Sequence, residues 1–281
     1  RNGLREGQSL IVQISGSTEE GKALPVSTRL SFRGRLVIAT PGVPGVNVSR
    51  RIRDNDLRDA LTRLGEQALS GMASPPGIVF RSLAAHGDDD DVAAELDQIL
   101  ELAAAITADS DGPPELLLDA PTPAETAWRD WSDPEPDSVE DGPDAFELTG
   151  TVDQVESLLQ SRVELGNGAW AEIEALRALV AIDVNTGSDH SPAAGLKANI
   201  ALARDLPRQL RLRGLGGQIV VDFAPMPKRD RGTVEQVLRA AFRNEAAETV
   251  LIGWTAMGLY EISRKRDRIA LSRLAQPESA R

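Results

Sequence analysis

The sequence predicts a mixed α/β (α+β) protein, and two observations support this prediction. From residue 176 to residue 262, short apolar runs alternate with longer stretches whose apolar residues recur every three or four positions. This is the pattern of strands alternating with helices in a layered α/β unit. Hydrophobic residues make up 41% of the 281 residues and aromatic residues only 4%, so Leu, Val, Ile and Ala build the cores. A chain of this length has room for one large domain or two ordinary ones.

The first 120 residues also alternate between strand and helix patterns. Apolar residues at helical spacing predict one helix over residues 54–70 and a second helix that follows the aspartates 88–91. Asp54 or Asn55 is suited to be the N-cap of the first helix. The aspartate run suits the start of the second helix, because the helix dipole favours negative charge there. Short apolar runs predict strands at residues 8–14, 34–39, 77–82 and 116–118.

The rest of the chain begins with its best internal boundary. Residues 119–150 are rich in Pro, Asp and Glu and predict irregular structure with one short helix over 126–131. Further on, Pro207 lies inside a predicted helix and is expected to kink or restart it. Gly and Asn at 166–168 predict a hairpin turn. The other predicted elements are helices at 151–159, 196–212 and 233–245 and strands at 163–165, 169–173, 176–183, 216–222, 249–254 and 259–262.

The charges of the chain are segregated along the sequence. The formal net charge of −12 by itself argues against a nucleic-acid partner. Residues 86–150, however, contain 20 Asp and Glu and one Arg, whereas residues 204–273 contain 14 Lys and Arg and eight Asp and Glu. A polyanion responds to the local field, which physiological salt screens over ~8 Å. The basic stretch is therefore compatible with an RNA partner, and a solvated surface is the alternative explanation for it.

The sequence contains no cysteine. Disulfides and thiolate zinc sites are therefore excluded within these 281 residues, and such a composition is typical of a reducing compartment. No apolar run approaches the length of a membrane span, and residues 1–7 have no apolar signal region. We expect a cytoplasmic protein with no membrane span and no zinc. His86 and His190 have no matching triad or metal spacing, so we interpret both as surface residues.

Two aspartates, Asp183 and Asp222, each end an apolar strand-like run. A buried strand has no packing use for a carboxylate at its end, because an ionised carboxylate is costly to desolvate. Two such ends, joined by a helical crossover, form an oxygen site suited to Mg²⁺ or Mn²⁺. Asn185 shares one face of a strand with Asp183 and can orient the carboxylate or a metal-bound water. The alternatives are a turn or helix-cap role for Asp183 and a plain turn over residues 185–187.

Four segments of the C-terminal half resemble, in order and spacing, the catalytic core of the ribonuclease E/G family of endoribonucleases. They are residues 181–187 (AIDVNTG), 196–199 (LKAN), 208–223 (RQLRLRGLGGQIVVDF) and 258–266 (GLYEISRKR). Residues 5–13 resemble the end of the family's S1 RNA-binding domain, and residues 49–52 and 79–82 resemble its 5′-sensor domain. The resemblance covers most of the chain and is weakest over residues 86–160.

The resemblance implies a fold in which a sensor-like α/β domain is followed by a DNase I-like α/β catalytic subdomain. The implied regions are an S1-like remnant at 1–28, the sensor-like domain at 29–117, an acidic RNase H-like remnant or linker at 118–160 and the catalytic subdomain at 161–281. Most of the S1 domain and the family's zinc-link cysteines have no counterpart in this sequence. We therefore expect no zinc-bridged dimer, although another kind of oligomer is compatible with the sequence.

The resemblance also implies an activity. A member of this family hydrolyses single-stranded RNA with a divalent metal, here Mg²⁺ or Mn²⁺, in RNA processing or decay. The family's two metal-binding aspartates correspond to Asp183 and Asp222, and its accompanying asparagine to Asn185. One alternative is an RNA-binding paralogue with little or no cleavage activity, and another is a phosphodiesterase for small phosphoesters, which would not need so many cations. The residues expected to line an RNA-backbone channel are Arg208, Arg211, Arg213, Lys228, Arg229 and Arg231.

The family's pocket for an RNA 5′-monophosphate corresponds to Gly34, Ile38, Arg81 and Ser82. The arginine that the family contributes from beyond its catalytic core falls on or near Glu248. A carboxylate there would repel a phosphate or pair with Arg81 instead. The sequence therefore predicts poor discrimination between 5′-monophosphate and 5′-hydroxyl RNA.

Overall fold

The chain divides into two compact units, one formed by residues 1–14 and 26–139 and the other by residues 15–25 and 140–281. The division does not separate residues 1–28 as a body of their own, since they are shared between the two units. The structure, a computed structural model, describes residues 5–16, 22–110, 112–132, 136–189 and 191–275. His190, predicted to be a surface residue, lies outside the described residues.

The first unit contains a two-stranded antiparallel pair and a four-stranded sheet. In chain order, the six strands are β1 (Gln13–Ile14), β2 (Val26–Ser27), β3 (Phe32–Arg33), β4 (Val37–Thr40), β5 (Gly45–Val48) and β6 (Gly77–Phe80). The pair is β1–β2, and the sheet has the spatial order β3-β4-β6-β5. Within the sheet, β5 and β6 are parallel and the other neighbours are antiparallel.

Two long helices pack on this sheet, and their caps explain where they begin. Asp54 caps α1 (Asn55–Leu69) by accepting hydrogen bonds from two backbone N–H groups of the first turn. Asp88 caps α2 (Asp89–Ala108), whose first turn holds three more aspartates. Both predicted helices are therefore confirmed. Residues of α2, α1 and the sheet share one core, which includes Val37, Leu61, Ile78, Phe80, Val92 and Leu96.

Part of the strand prediction for the first unit is wrong. Residues 116–118 form no strand, and Leu116 and Leu118 are exposed. Apolar composition alone suggested a strand there, but no neighbouring strand satisfies its backbone. The predicted strand 77–82 ends at Phe80, and a 3₁₀ turn, Ser82–Ala85, follows. The predicted short helix exists as α3 (Pro123–Trp131), which begins at a capping box formed by Thr122 and Glu125.

The second unit is a six-stranded sheet with helices. The strands are β7 (Arg162–Gly166), β8 (Ala169–Ala175), β9 (Val180–Asn185), β10 (Gly217–Asp222), β11 (Thr249–Trp254) and β12 (Tyr260–Arg264), in the spatial order β11-β12-β10-β9-β8-β7. Only the β9–β10 pair of this sheet is parallel. The helices are α4 (Ala145–Leu148), α5 (Thr151–Leu159), α6 (Pro192–Leu212), α7 (Arg231–Phe242) and α8 (Leu271–Leu274).

Helix α6 is the crossover that joins the two parallel strands. Ser191 caps it, so it begins four residues before its predicted start. It continues through Pro207 as one helix, so the predicted restart at that proline does not occur. Leu202, Leu206 and Leu210 are fully buried and share a core with the inward residues of β9 and β10. Burial of this face compensates for the hydrogen bond that the proline removes. Among the described helices, none combines the length and apolarity needed to span a membrane.

A buried amide pair connects α6 to the end of β10. Asn199 is fully buried; its Nδ2 donates to the carbonyl of Ala224 at 2.9 Å, and its Oδ1 accepts from the backbone N–H of Ala224 at 2.9 Å. Nearby, α6 approaches the chain closely at Gly195, where a Cβ would lie 2.4 Å from the carbonyl oxygen of Pro225. The helix start therefore fixes the path of the chain directly after Asp222.

We expect Asn199→Ala to lower the free energy of unfolding by about 3 kcal/mol, because it leaves two buried backbone groups without partners. Asn244, which is exposed in the turn after α7, is the matched control. There the same change should cost less than about 0.5 kcal/mol. Urea unfolding followed by circular dichroism measures both values, and equal values for the two variants would contradict the role of Asn199.

Candidate active site

The parallel pairing of β9 with β10 places Asp183 beside Asp222. The two residues are direct register partners, and neighbouring strands lie ~4.8 Å apart. Register partners point to the same face of a sheet. Both aspartates are exposed, whereas Ile182, Val184 and Val221 alternate with them and point into the core. The two carboxylates therefore lie side by side on the face of the sheet that is opposite to the core of α6 and α7.

Asn185 lies on the same face and holds one of the carboxylates. Its Nδ2 donates a hydrogen bond to Oδ2 of Asp183 at 2.8 Å. The spacing of two residues along β9 brings the side chains together, as the sequence predicted. This contact fixes the rotamer of Asp183 and leaves its other oxygen available to a ligand.

The chemistry of the donor set decides whether a divalent ion fits here. Two carboxylates and one amide are hard oxygen donors, and Mg²⁺ binds proteins through one or two carboxylates while it keeps several waters. Glu172 on β8 is the register partner of Asp183, but its carboxylate accepts a hydrogen bond from Oγ of Ser161 at 2.6 Å. Within the described part of the chain, no group of three or more His, Cys, Asp or Glu is arranged to hold a metal. The two carboxylates and the amide therefore fit a divalent ion that keeps several of its water ligands.

Three of the predicted RNA-backbone arginines belong to the helix layer. Arg208 and Arg211 are on α6 and Arg213 is its C-cap, whereas the aspartate pair lies on the opposite face of the sheet. Arg208 forms an ion pair with Asp205 at 2.7 Å, and Arg211 forms one with Glu245. Arg213 is buried and donates to the Gln209 side chain and to the carbonyl of Gln160. The structure therefore does not place these three arginines beside the aspartates.

The other three predicted cations follow β10 directly. Lys228 and Arg229 are exposed in the 3₁₀ turn Lys228–Asp230, which begins six residues after Asp222. Arg231, at the start of α7, stacks its guanidinium on the Trp254 ring at 4.4 Å from the centroid. Its buried Nε has no hydrogen-bond partner among the described residues. Of the six cations, these three lie on the segment that continues from the aspartate site.

Aromatic rings support this end of the sheet. Phe223 directly follows Asp222, and its ring packs against Trp254 at 5.6 Å and against Tyr260 at 6.2 Å between centroids. The indole N–H of Trp254 donates to Glu235 at 2.8 Å. These contacts fix the backbone beyond Asp222 from the core side and leave its carboxylate on the open face.

The residues predicted to bind a 5′-phosphate lie in the first unit, and two of them are in contact. Nη1 of Arg81 donates to the carbonyl of Gly34 at 2.7 Å. Ser82 begins the 3₁₀ turn directly after Arg81, and Ile38 lies in the middle of β4. A side chain at residue 34 would collide with Glu95, since a Cβ there would lie 2.2 Å from its Oε1.

Arg81 has an acidic partner within its own unit that the sequence did not predict. Asp130 lies at 3.1 Å from Nη2 of Arg81. Glu248 belongs to the other unit, so its competition for this arginine stays a prediction. Arg129 also pairs with Asp130, at 3.0 Å. Partial burial by itself raises the pKa of the Asp130 carboxyl, but hydrogen bonds and charge attraction from the two arginines hold that pKa below its ordinary value. Asp130 is therefore charged at neutral pH and already forms an ion pair with Arg81.

Four residues of these sites were not singled out from the sequence. Asp130 belongs to the acidic segment, which gave no signal for a partner 49 residues away. Asn199 belongs to the segment 196–199, where no local pattern shows that it binds the chain after β10. Trp170 and Glu172 alternate with core residues of β8 and are register partners of Asn185 and Asp183. Strand alternation could have placed them on the open face, but only the register shows what they face.

Comparison with known proteins gives a consistent result. The model of the Ribonuclease E/G family matches residues 31–140 and 136–267. Ribonuclease E of Escherichia coli is 30% identical over 94% of this chain and 28% of its own length. Ribonuclease G of Escherichia coli is 25% identical over 94% of this chain and 61% of its own length. Ribonuclease E of a Nostoc species is 28% identical over 92% of this chain and 43% of its own length.

The chain thus spans between 28% and 61% of the length of these three relatives. The family match nevertheless covers most of both compact units and all the residues of the aspartate site. Because the matched stretches cover most of the sequence, this chain belongs to the Ribonuclease E/G family.

Proposed function

We propose that this chain is the core of a cytoplasmic endoribonuclease that hydrolyses single-stranded RNA in RNA processing or decay. The observation that supports the proposal best is the register pairing of Asp183 with Asp222 on an open sheet face. The relatives named ribonuclease E and ribonuclease G point to the same class of substrate. The two aspartates would hold one Mg²⁺ or Mn²⁺.

When bound, such an ion would act as a Lewis acid that activates water and offsets negative charge on the scissile phosphate. Asp183, Asp222 and Asn185 would determine its position. Asp183 and Asp222 project from neighbouring rigid strands, so their separation is set by the sheet and not by a loop. Asn185 keeps the Asp183 carboxylate in one orientation through its 2.8 Å hydrogen bond. The exposure of both aspartates leaves room for an extended RNA strand.

RNA contacts outside the carboxylate pair require cations, because the pair itself repels phosphate. Lys228 and Arg229 are exposed on the segment that follows β10, and Arg231 begins the next helix. We assign the phosphate contacts nearest to the site to these residues. Arg208, Arg211 and Arg213 would contribute little to RNA binding, since ion pairs neutralise the first two and the third is buried.

Asp183→Asn and Asp222→Asn should each abolish Mg²⁺-dependent cleavage of a 5′-labelled single-stranded RNA, because each removes a charged ligand. Asn185→Ala removes only the group that orients Asp183, so we expect a smaller loss of about 10–100-fold. Asp153→Asn, at an exposed position of α5, is the control and should cleave normally. Cleavage rates with Mg²⁺ and with EDTA measure the effects.

Full activity of Asp183→Asn would exclude the metal assignment. Wild-type protein that binds the RNA but does not cleave it with Mg²⁺ or Mn²⁺ would instead favour the RNA-binding paralogue. Thermal unfolding of each variant shows whether a loss of cleavage reflects a loss of structure.

Replacing both Lys228 and Arg229 with Ala should weaken RNA binding and make it less salt-dependent. Each phosphate contact with single-stranded nucleic acid contributes about 0.7 to the slope of log K against log salt, so we expect the slope to fall by ~1.4. Arg204→Ala removes an exposed cation of α6 and should leave the slope unchanged. Fluorescence anisotropy of a labelled RNA at several salt concentrations measures it. An unchanged slope in the double variant would contradict the assignment.

We expect the wild-type protein to prefer a 5′-monophosphate over a 5′-hydroxyl RNA by less than about tenfold, because Asp130 already neutralises Arg81. Asp130→Asn should raise this preference, since it frees the guanidinium. The pKa of Asp130 is depressed, so the ion pair is lost only as the pH falls through that lowered value and is intact in a neutral assay.

Asp137→Asn, exposed in the same acidic segment, is the control. Cleavage of one oligonucleotide carrying either 5′ end gives the ratio, and a strong wild-type preference would contradict the prediction.

A further inference from the structure

An indole lies beside the aspartate pair on the open face of the sheet. Trp170 is the register partner of Asn185, whose side chain is bonded to Asp183. Its neighbours in β8, Ala169 and Ala171, are buried in the core, so the alternation of the strand directs Trp170 to the opposite face. Paired residues of neighbouring strands have Cβ atoms ~5 Å apart, and Asp183 lies two residues, or about 7 Å, further along β9.

Packing against the core does not explain a tryptophan at this position. Trp170 is absent from the described core of the second unit and is half-buried on a face made mainly of polar residues. Its ring is nevertheless held in place. Gly187 approaches so closely that a Cβ there would lie 3.4 Å from a carbon of the indole and 2.3 Å from the carbonyl oxygen of Gly168. The indole is therefore a large apolar surface with a fixed orientation beside a charged site.

A guanidinium covers this indole. Arg162 on β7 lies over the ring at 4.2 Å from the centroid, and its Nε donates to Glu164 at 2.6 Å. The Arg162 side chain is 50% exposed, so the stacked pair is accessible from solvent. Single-stranded RNA is bound through bases that stack on aromatic rings and on guanidinium planes, and this stacking accepts every base. The pair offers both surfaces and a positive charge on β8 and β7, the strand next to that of Asp183 and the one beyond it.

We infer that Trp170 and Arg162 form a stacking site for a nucleobase of the RNA, next to the scissile phosphate. The inference rests on the proposed function, because the strand that it binds is the proposed substrate. An RNA strand alternates phosphates and bases, so a phosphate that the proposed divalent ion would hold beside Asp183 and Asp222 brings a neighbouring base toward the indole. The site positions the strand without selecting a sequence, since both surfaces bind any base by its face.

The test uses a single-stranded RNA whose cleaved bond is first mapped with the wild-type protein, and the same RNA with an abasic nucleotide on either side of that bond. Trp170→Leu should lower kcat/KM for the intact RNA by roughly 10–100-fold, the range that stacking of one base supports. The same variant should change cleavage of one abasic RNA by less than about threefold, because the base that stacks is already missing. Trp170→Phe keeps a ring and should retain most of the activity.

Phe146→Leu is the matched control, since it removes an exposed aromatic ring of the same unit from α4. It should lower cleavage of none of the three RNAs. Thermal unfolding of Trp170→Leu separates a loss of stacking from a loss of fold. An equal loss on the intact and both abasic RNAs, or no loss on the intact RNA, would overturn the stacking site and leave the proposed function standing.

Binding gives a readout that does not depend on cleavage. Titration of the protein with the intact RNA in EDTA should quench tryptophan fluorescence, and Trp170→Phe should lose most of that quenching. Quenching through Trp170 without metal-dependent cleavage would refute the proposed function and support the stacking site. If the wild-type protein does not bind the RNA, both are refuted.

Discussion

The parallel pairing of β9 with β10 is the constraint on which the second unit depends. Parallel neighbours need a long crossover, and α6 supplies it while covering one face of both strands. The same register that seals Ile182 and Val221 in the core sets Asp183 beside Asp222 on the other face. A shift of one residue in this register would move the carboxylates into the core and the apolar side chains into water. The stability of the core and the geometry of the site therefore both require the same register of β9 and β10.

The two faces of the sheet also explain which cations of the basic stretch, residues 204–273, are available to a ligand. Arginines on the core side of the sheet are largely committed to structure: Arg264 of β12 and Glu245 form a buried ion pair at 2.8 Å, and Arg211 of α6 pairs with the same carboxylate. Removing one partner from such a pair leaves a buried charge uncompensated, which costs much more than the pair itself contributes. The cations that remain exposed near the site follow the end of β10. Counting charges along the sequence therefore overestimates what is available to a polyanion.

The first unit illustrates competition between an internal carboxylate and an external anion. Arg81 donates to two backbone carbonyls and to Asp130, so both of its Nη atoms are hydrogen-bonded within the unit. A phosphate that binds there must displace a charged partner whose depressed pKa reflects the same interaction. Asp130 belongs to α3, and Arg35 adds a second contact to this helix, since it donates to Ser132 and stacks near Trp128. The acidic segment thus has a structural role beyond that of a linker.

The sequence by itself determined the features that depend on local chemistry. The starts of α1 and α2 at Asp54 and Asp88, the hairpin around Asn167, and the two aspartates at strand ends all follow from caps, turns and periodicity. The tertiary structure decided which strands pair and in which register, and so which side chains share a face. It showed that Arg81 meets Asp130, that Trp170 faces Asn185, and that residues 116–118 have no strand to pair with. These contacts join residues far apart in the chain, and their energies depend on burial and on neighbours that no local pattern encodes.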